Sequence, residues 1–142
     1  MMKKSTFSIL FLAVFCIFLS CKKEEEVSPS ERFLLLTNQV WESDSLLANG
    51  VDASEEGQIL FAFNGETSFN EDGTGSLGIY EGTWILKNND EQLIIYADSL
   101  PGPVTCIIDE LSETSLKINT GIISTTVPIS YISVRMTFIA KE

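Results

Sequence analysis

The sequence contains no histidine and has few basic residues. Of its 142 residues, 9 are Lys or Arg and 20 are Asp or Glu, so the net charge is −11. Without histidine, the chain cannot form a Ser-His-Asp relay or an HExxH zinc site. The negative charge opposes binding to a phosphate backbone. We therefore expect no enzyme activity, no metal, no cofactor and no nucleic-acid partner.

Long hydrophobic runs are also scarce, and the main one lies at the N-terminus. Residues 9–19 form an unbroken apolar run that follows the basic segment Met1-Met2-Lys3-Lys4. Eleven residues are too few to span a bilayer, which needs about 20. A basic segment followed by a short apolar run is typical of a signal peptide, and we assign residues 1–20 to it.

Cysteine is rare, and one of the three cysteines lies directly after this segment. The run Phe18-Leu19-Ser20-Cys21 resembles a lipobox, the site at which a peptidase cuts before a lipid-modified cysteine. The resemblance implies that Cys21 carries acyl chains such as palmitate and anchors the mature chain to a membrane.

The residues after Cys21 indicate which membrane surface carries the anchored protein. Lys22-Lys23-Glu24-Glu25-Glu26 resembles the lipoprotein export signal of Bacteroidota, which sends proteins to the outer face of the outer membrane. We expect a cell-surface location, with the periplasmic face as the alternative. Residues 21–32 are interpreted as the lipidated cysteine and a charged linker too polar to fold.

Removal of residues 1–20 leaves 122 residues, with 7 basic and 20 acidic side chains. This length fits one domain, which we place at residues 33–142. Cys106 is left without a cysteine partner in that domain. It lies between apolar residues, so we expect it to be reduced and buried. Ser30 is placed to cap a short helix over residues 31–37, although the leucine run there is ambiguous.

The rest of the domain has the periodicity of β-strands. The predicted strands cover residues 41–47, 59–63, 68–69, 76–80, 82–87, 92–98, 104–109, 115–119 and 129–140. Turn-forming sequences such as Asp72-Gly73 and Pro101-Gly102-Pro103 separate them. One face of the last strand carries Ile132, Val134, Met136, Phe138 and Ala140. Strands with one buried face predict an antiparallel sandwich or barrel, and the short links favour an up-and-down barrel.

Several motifs resemble the lipocalin-like lipoproteins of Bacteroidota over residues 33–142. They are Trp41 at the start of the first strand, Phe69-Asn70-Glu71-Asp72-Gly73-Thr74, Gly82-Thr83-Trp84, Leu93-Ile94-Ile95, Ile107-Ile108-Asp109-Glu110-Leu111-Ser112 and an apolar last strand that ends near a lysine. Two positions depart from true lipocalins, since Gln39 replaces the glycine before the tryptophan and Arg135 lies on the polar face of its strand. The resemblance implies an eight-stranded antiparallel barrel with an interior site for a small apolar ligand.

Two functions remain open at this point. In the first, Phe61, Phe63, Trp84 and Met136 help to line a ligand site, and residues 49–58 and 98–103 frame its mouth. In the second, these side chains fill the barrel, and the protein is a structural or protein-interaction accessory.

Overall fold

The computed structural model describes residues 28–142. Its elements are α1 (Glu31–Thr37), β1 (Val40–Ala48), β2 (Val51–Asp52), a 3-10 helix (Phe61–Phe63), β3 (Glu66–Phe69), β4 (Thr74–Leu77), β5 (Tyr80–Lys87), β6 (Gln92–Ala97), β7 (Val104–Leu111), β8 (Ser115–Ser124) and β9 (Ser130–Ala140). The predicted signal peptide, Cys21 and the linker up to residue 27 lie outside the described residues. Within the described part, no helix is long and apolar enough to cross a bilayer.

The strands form a closed antiparallel barrel. They pair in the order β2-β1-β3-β4-β5-β6-β7-β8-β9, and β1 also pairs with β9 to close the sheet. The two-residue strand β2 pairs only with the end of β1, so eight strands make the barrel wall. The predicted all-β, up-and-down, lipocalin-like barrel of about eight strands is confirmed.

The barrel interior holds the hydrophobic core. In β9, Val134, Met136 and Phe138 point inward and are almost fully buried, whereas Arg135 is exposed on the outer face. The inward residues of β8, Leu116 and Ile118, are also fully buried. The alternation seen in the sequence therefore corresponds to the inside and outside of the barrel wall.

Helix α1 closes one end of this barrel. The Ser30 side chain accepts a hydrogen bond from the Phe33 amide at 3.0 Å, which caps the helix, and Leu36 is fully buried. The Trp41 indole Nε1 donates to the Leu36 carbonyl at 3.1 Å. Arg32 Nε donates to the Asp90 carbonyl in the β5–β6 turn at 2.9 Å. A seven-residue helix is marginal alone, so these contacts hold it in place.

Two predicted strands are wrong. The strand predicted at residues 76–80 runs through the β4–β5 turn, because β4 ends at Leu77 and β5 begins at Tyr80. The second lies at residues 59–63. Residues 59–63 alternate as a strand would, but they form a turn and the 3-10 helix Phe61–Phe63. Leu60 and Phe63 are both buried, while Phe61 is 48% exposed. Side chains three residues apart lie on the same side of a 3-10 helix, so this geometry turns two apolar groups inward without a partner strand.

Strand β7 is longer than the sequence pattern indicates. The pairing with β8 shifts between Ile108 and Glu110, which marks a β-bulge at Asp109. The extra residue turns Leu111 back toward the core, against which it is partly buried. The strand therefore continues two residues past its predicted end at Asp109.

Candidate functional site

A cleft of about 610 Å³ opens at the end of the barrel opposite α1. Its position follows from the meander, because the β5–β6 turn contacts α1 and the next link, between β6 and β7, lies at the other end. Three parts of the chain form its walls: Leu60 and Phe63 near the 3-10 helix, Leu100 to Thr105, and the hairpin residues Thr120 to Ile123, Tyr131, Val134 and Met136. The volume lies within the range of about 300–1,000 Å³ that is usual for small-molecule sites.

The 3-10 helix that forms one wall is held against the β4–β5 turn. Gly78 has a φ of +58°, and a Cβ placed on it would lie 2.3 Å from the Ala62 carbonyl oxygen. The Ile79 amide donates to that same carbonyl at 2.9 Å. The rings of Phe63 and Tyr80 lie 5.0 Å apart. This close approach requires glycine at position 78 and fixes Phe63 inside the mouth of the barrel.

The opposite wall is the outer part of the β8–β9 hairpin. A Cβ on Gly121 would lie within 2.4 Å of ring atoms of Tyr131, so the tyrosine ring covers the backbone of this glycine. The hairpin tip beyond it is apolar and exposed, and Val127 has 94% of its surface accessible. The sequence from residue 118 to residue 134 contains no charged side chain. The mouth is therefore bordered on this side by an uncharged surface.

The polar groups of the cleft are hydroxyls rather than charges. No Lys, Arg, Asp or Glu lines it. Thr120 Oγ1 donates to the Thr105 carbonyl at 2.8 Å, so its proton is already used within the wall. An apolar cavity with a few hydroxyl groups suits an apolar molecule with a small uncharged polar group.

Cys106 lies next to this wall and is fully buried. Burial raises the pKa of the Cys106 thiol to about 12, against a smaller opposing effect of a hydrogen bond with Thr120. The thiolate required of a nucleophile is therefore suppressed at neutral pH. The predicted burial of Cys106 is confirmed, and the side chain is a packing residue.

The structure brings two of the four predicted ligand residues to the cleft. Phe63 and Met136 line it. Phe61 points outward from the 3-10 helix, and Trp84 lies at the α1 end of the barrel. The Trp84 indole Nε1 donates to the Thr74 carbonyl at 2.9 Å, and the ring is 5.4 Å from those of Phe33 and Phe69.

Trp84 borders a second depression at that end, also of about 610 Å³. Its walls include residues 28–30, and Glu71, Asp72 and Asp90 lie around it. This depression is wider open than the cleft and has carboxylates at its border. We therefore take the cleft at the other end as the candidate ligand site.

Sequence reasoning missed several lining residues, among them Leu60, Leu100 and Val134. The three-residue spacing of Leu60 and Phe63 was the available signal for a 3-10 helix. Leu100 directly precedes Pro101-Gly102-Pro103, within the segment that was expected to frame the mouth.

No metal site accompanies the cleft in the described part of the chain. Across residues 28–142, no three Asp, Glu or Cys side chains converge in a way that could hold a metal ion. The acidic side chains of this part include Asp52 and Asp72, whose carboxyl pKa values are lowered by hydrogen bonds from Ser54 and Thr74, respectively. These two carboxylates therefore stabilise local turns.

Comparison of the chain with protein-family models gave no match, and a search of curated proteins gave none either.

Proposed function

We propose that this chain is a lipid-anchored outer-membrane lipoprotein, exposed at the cell surface, whose barrel binds a small hydrophobic ligand. The observation that supports the ligand most directly is the uncharged, largely apolar cleft of about 610 Å³ at the mouth of a closed barrel. The proposal includes no catalytic step and no cofactor. We also propose that the chain is related to the lipocalin-like lipoproteins of Bacteroidota, which its motifs resemble.

The first described residues of the chain lie at the end of the domain opposite the cleft. Helix α1 closes one end, and the chain before it leads back to Cys21 through residues 22–30. Nine residues span at most about 30 Å when extended. An acylated Cys21 would thus keep the α1 end of the domain within about 30 Å of the bilayer.

Two serine substitutions test the anchor. Cys21→Ser should move the protein from the detergent phase to the aqueous phase in a Triton X-114 partition, because the acyl chains supply about 0.8 kcal/mol per buried CH₂. Cys106→Ser removes the buried thiol instead and should leave the partition unchanged. A Cys21→Ser protein that stays in the detergent phase although mass spectrometry shows that residues 1–20 have been removed refutes the anchor, since the apolar run at residues 9–19 would otherwise retain it there. Protease treatment of intact cells then separates a surface location, where the domain is cleaved, from the periplasmic face.

Two tryptophan substitutions on β7 test the cleft. Val104 lines it, whereas Ile107 lies on the outer face of the same strand and is 44% exposed. Val104→Trp should fill part of the cleft and abolish binding of the apolar probe N-phenyl-1-naphthylamine. Ile107→Trp should leave binding intact. Equal binding by both variants would place the probe outside the cleft.

The second candidate function, a filled barrel that serves as a protein-interaction accessory, has one observation in its favour. Ile123, Val127, Ile129 and Tyr131 expose most of their surface at the hairpin tip. Exposed apolar patches commonly mark sites of association. This function replaces ligand binding if the wild-type protein binds no apolar probe and an organic extract of the native protein contains no copurified molecule.

A further inference from the structure

The described part of the chain keeps all its positive charges away from the cleft. Residues 28–142 contain five basic and 17 acidic side chains. The five basic residues are Arg32, Lys87, Lys117, Arg135 and Lys141, and none of them lines the cleft.

Most of these cations are engaged elsewhere. Lys117 pairs with Glu110 at 2.9 Å, and Lys141 pairs with Glu66. Arg135 lies on the outer face of β9, where its Nε donates to Asn119 Oδ1 at 3.4 Å. None of these three side chains supplies a positive charge to the cleft.

The charged residues that lie near the wall residues Leu60 and Leu100 along the chain are negative. Asp98 precedes the wall residue Leu100 by two positions, and Glu55 and Glu56 lie in the link that leads to Leu60. A carboxylate ligand would lose its hydration in the cleft and meet no cation there. Burial of an unpaired carboxylate is unfavourable, and such a group tends to take up a proton instead.

The cleft does offer partners for an uncharged polar group. Thr120 Oγ1 donates its proton to the Thr105 carbonyl and shares one lone pair with the Cys106 thiol, so it keeps one lone pair that can accept a hydrogen bond. The exposed Tyr131 hydroxyl can donate one or accept one. A hydroxyl or ester group fits these partners without burial of charge.

We propose that the cleft selects uncharged apolar molecules, such as long-chain alcohols or esters, over carboxylate anions of the same chain length. This inference rests on the proposed function, because it specifies the ligand class of the same cleft. We therefore expect an alcohol or an ester to bind more tightly than a carboxylate with the same number of chain carbons.

The test is displacement of N-phenyl-1-naphthylamine from the full mature chain by tetradecan-1-ol, methyl tetradecanoate and tetradecanoate at pH 7.5. The alcohol and the ester are kept below their solubility limits, and the carboxylate is kept below its critical micelle concentration. The alcohol and the ester should displace the probe at concentrations at least about tenfold below that of the carboxylate. At pH 5.5 the protonated fraction of the acid rises by about 100-fold, so the difference should shrink.

Lysine substitutions on β7 provide the charge control. Val104→Lys places a cation in the cleft wall and should shift the preference toward tetradecanoate, whereas Ile107→Lys, on the outer face, should not. Circular dichroism checks that both variants are folded. If Val104→Lys is not, Ile122→Lys serves as a second wall variant, because Ile122 on β8 lines the cleft and is partly buried against the core.

The outcomes separate the two proposals. If the wild-type protein binds the carboxylate as tightly as the alcohol, the inference about charge is overturned and the ligand site stands. If neither the probe nor any of the three molecules binds, both proposals are overturned.

Discussion

Replacement of Leu36 by alanine tests whether α1 closes the barrel. Leu36 is fully buried on the side of α1 that packs on the barrel interior, whereas Leu34 on the same helix is 39% exposed. Both substitutions replace leucine with alanine in the interior of one helix, so their effects on helix propensity match. The two variants differ in the packing that they remove.

The expected magnitudes follow from burial. A buried Leu→Ala change typically costs 2–5 kcal/mol through lost transfer energy and the cavity left behind. Because α1 is short and can settle partly into that cavity, we expect about 2–3 kcal/mol for Leu36→Ala. Leu34→Ala should cost about 1 kcal/mol, since much of its surface stays in water. The Trp41–Leu36 backbone contact remains possible in both variants, as it uses only the carbonyl.

Urea denaturation followed by tryptophan fluorescence measures both values. Slopes in urea of about 1–3 kcal/mol/M are usual for small domains, so a loss of 2–3 kcal/mol lowers the midpoint by roughly 1 M or more. Unchanged slopes would show that the two-state comparison holds. Equal destabilisation by the two variants would refute the view that Leu36 fills the end of the barrel.

The remaining predictions concern Cys106 and Gly78. A thiol reagent should label native Cys106 only after unfolding, and rapid labelling of the native protein would contradict its burial. The pKa of the thiol is about 8.5 in the unfolded chain and about 12 in the folded one. Above about pH 8.5 the folded state therefore binds one proton more than the unfolded state, and the free energy of unfolding should fall as pH rises. Cys106→Ala should make this fall smaller. Gly78→Ala should cost more than about 2 kcal/mol in thermal or urea unfolding, because the new Cβ meets the backbone of Ala62. Gly57→Ala, also at positive φ but with open space around it, should cost only about 1 kcal/mol. Equal losses of stability in the two variants would show that the close approach of Gly78 to Ala62 does not contribute to the cost.

The sequence predicted those parts of the fold that depend on local alternation. The inward face of β9, from Ile132 to Ala140, follows a period of two because the strand has the core on one side and water on the other. Cys106 could be placed inside for the same reason. Ser30 and the residues after it carry a capping pattern, but so short a helix persists because of its contacts with Trp41 and with the β5–β6 turn.

The missed parts depend on contacts between distant residues. The alternation at residues 59–63 does not show whether a partner strand is available, and in the structure these residues form a turn and a 3-10 helix at the mouth instead of joining the sheet. The bulge at Asp109 arises from its pairing with β8. The cleft likewise depends on how far the β8–β9 hairpin and the β6–β7 link stand from Leu60, a distance that no local pattern encodes.

The seam between β1 and β9 has a consequence for the order in which the chain can fold. Trp41 pairs with Ala140, about 100 residues later, and the seam runs from there to the pairing of Ala48 with Val134. Contacts so far apart in sequence are slow to form, because the ordering of the intervening chain precedes the gain from pairing. During vectorial synthesis the strands from β1 to β8 can assemble only as an open sheet with unpaired edges. The last eleven-residue strand completes the barrel, so a chain that stops short of β9 is left as an aggregation-prone open sheet.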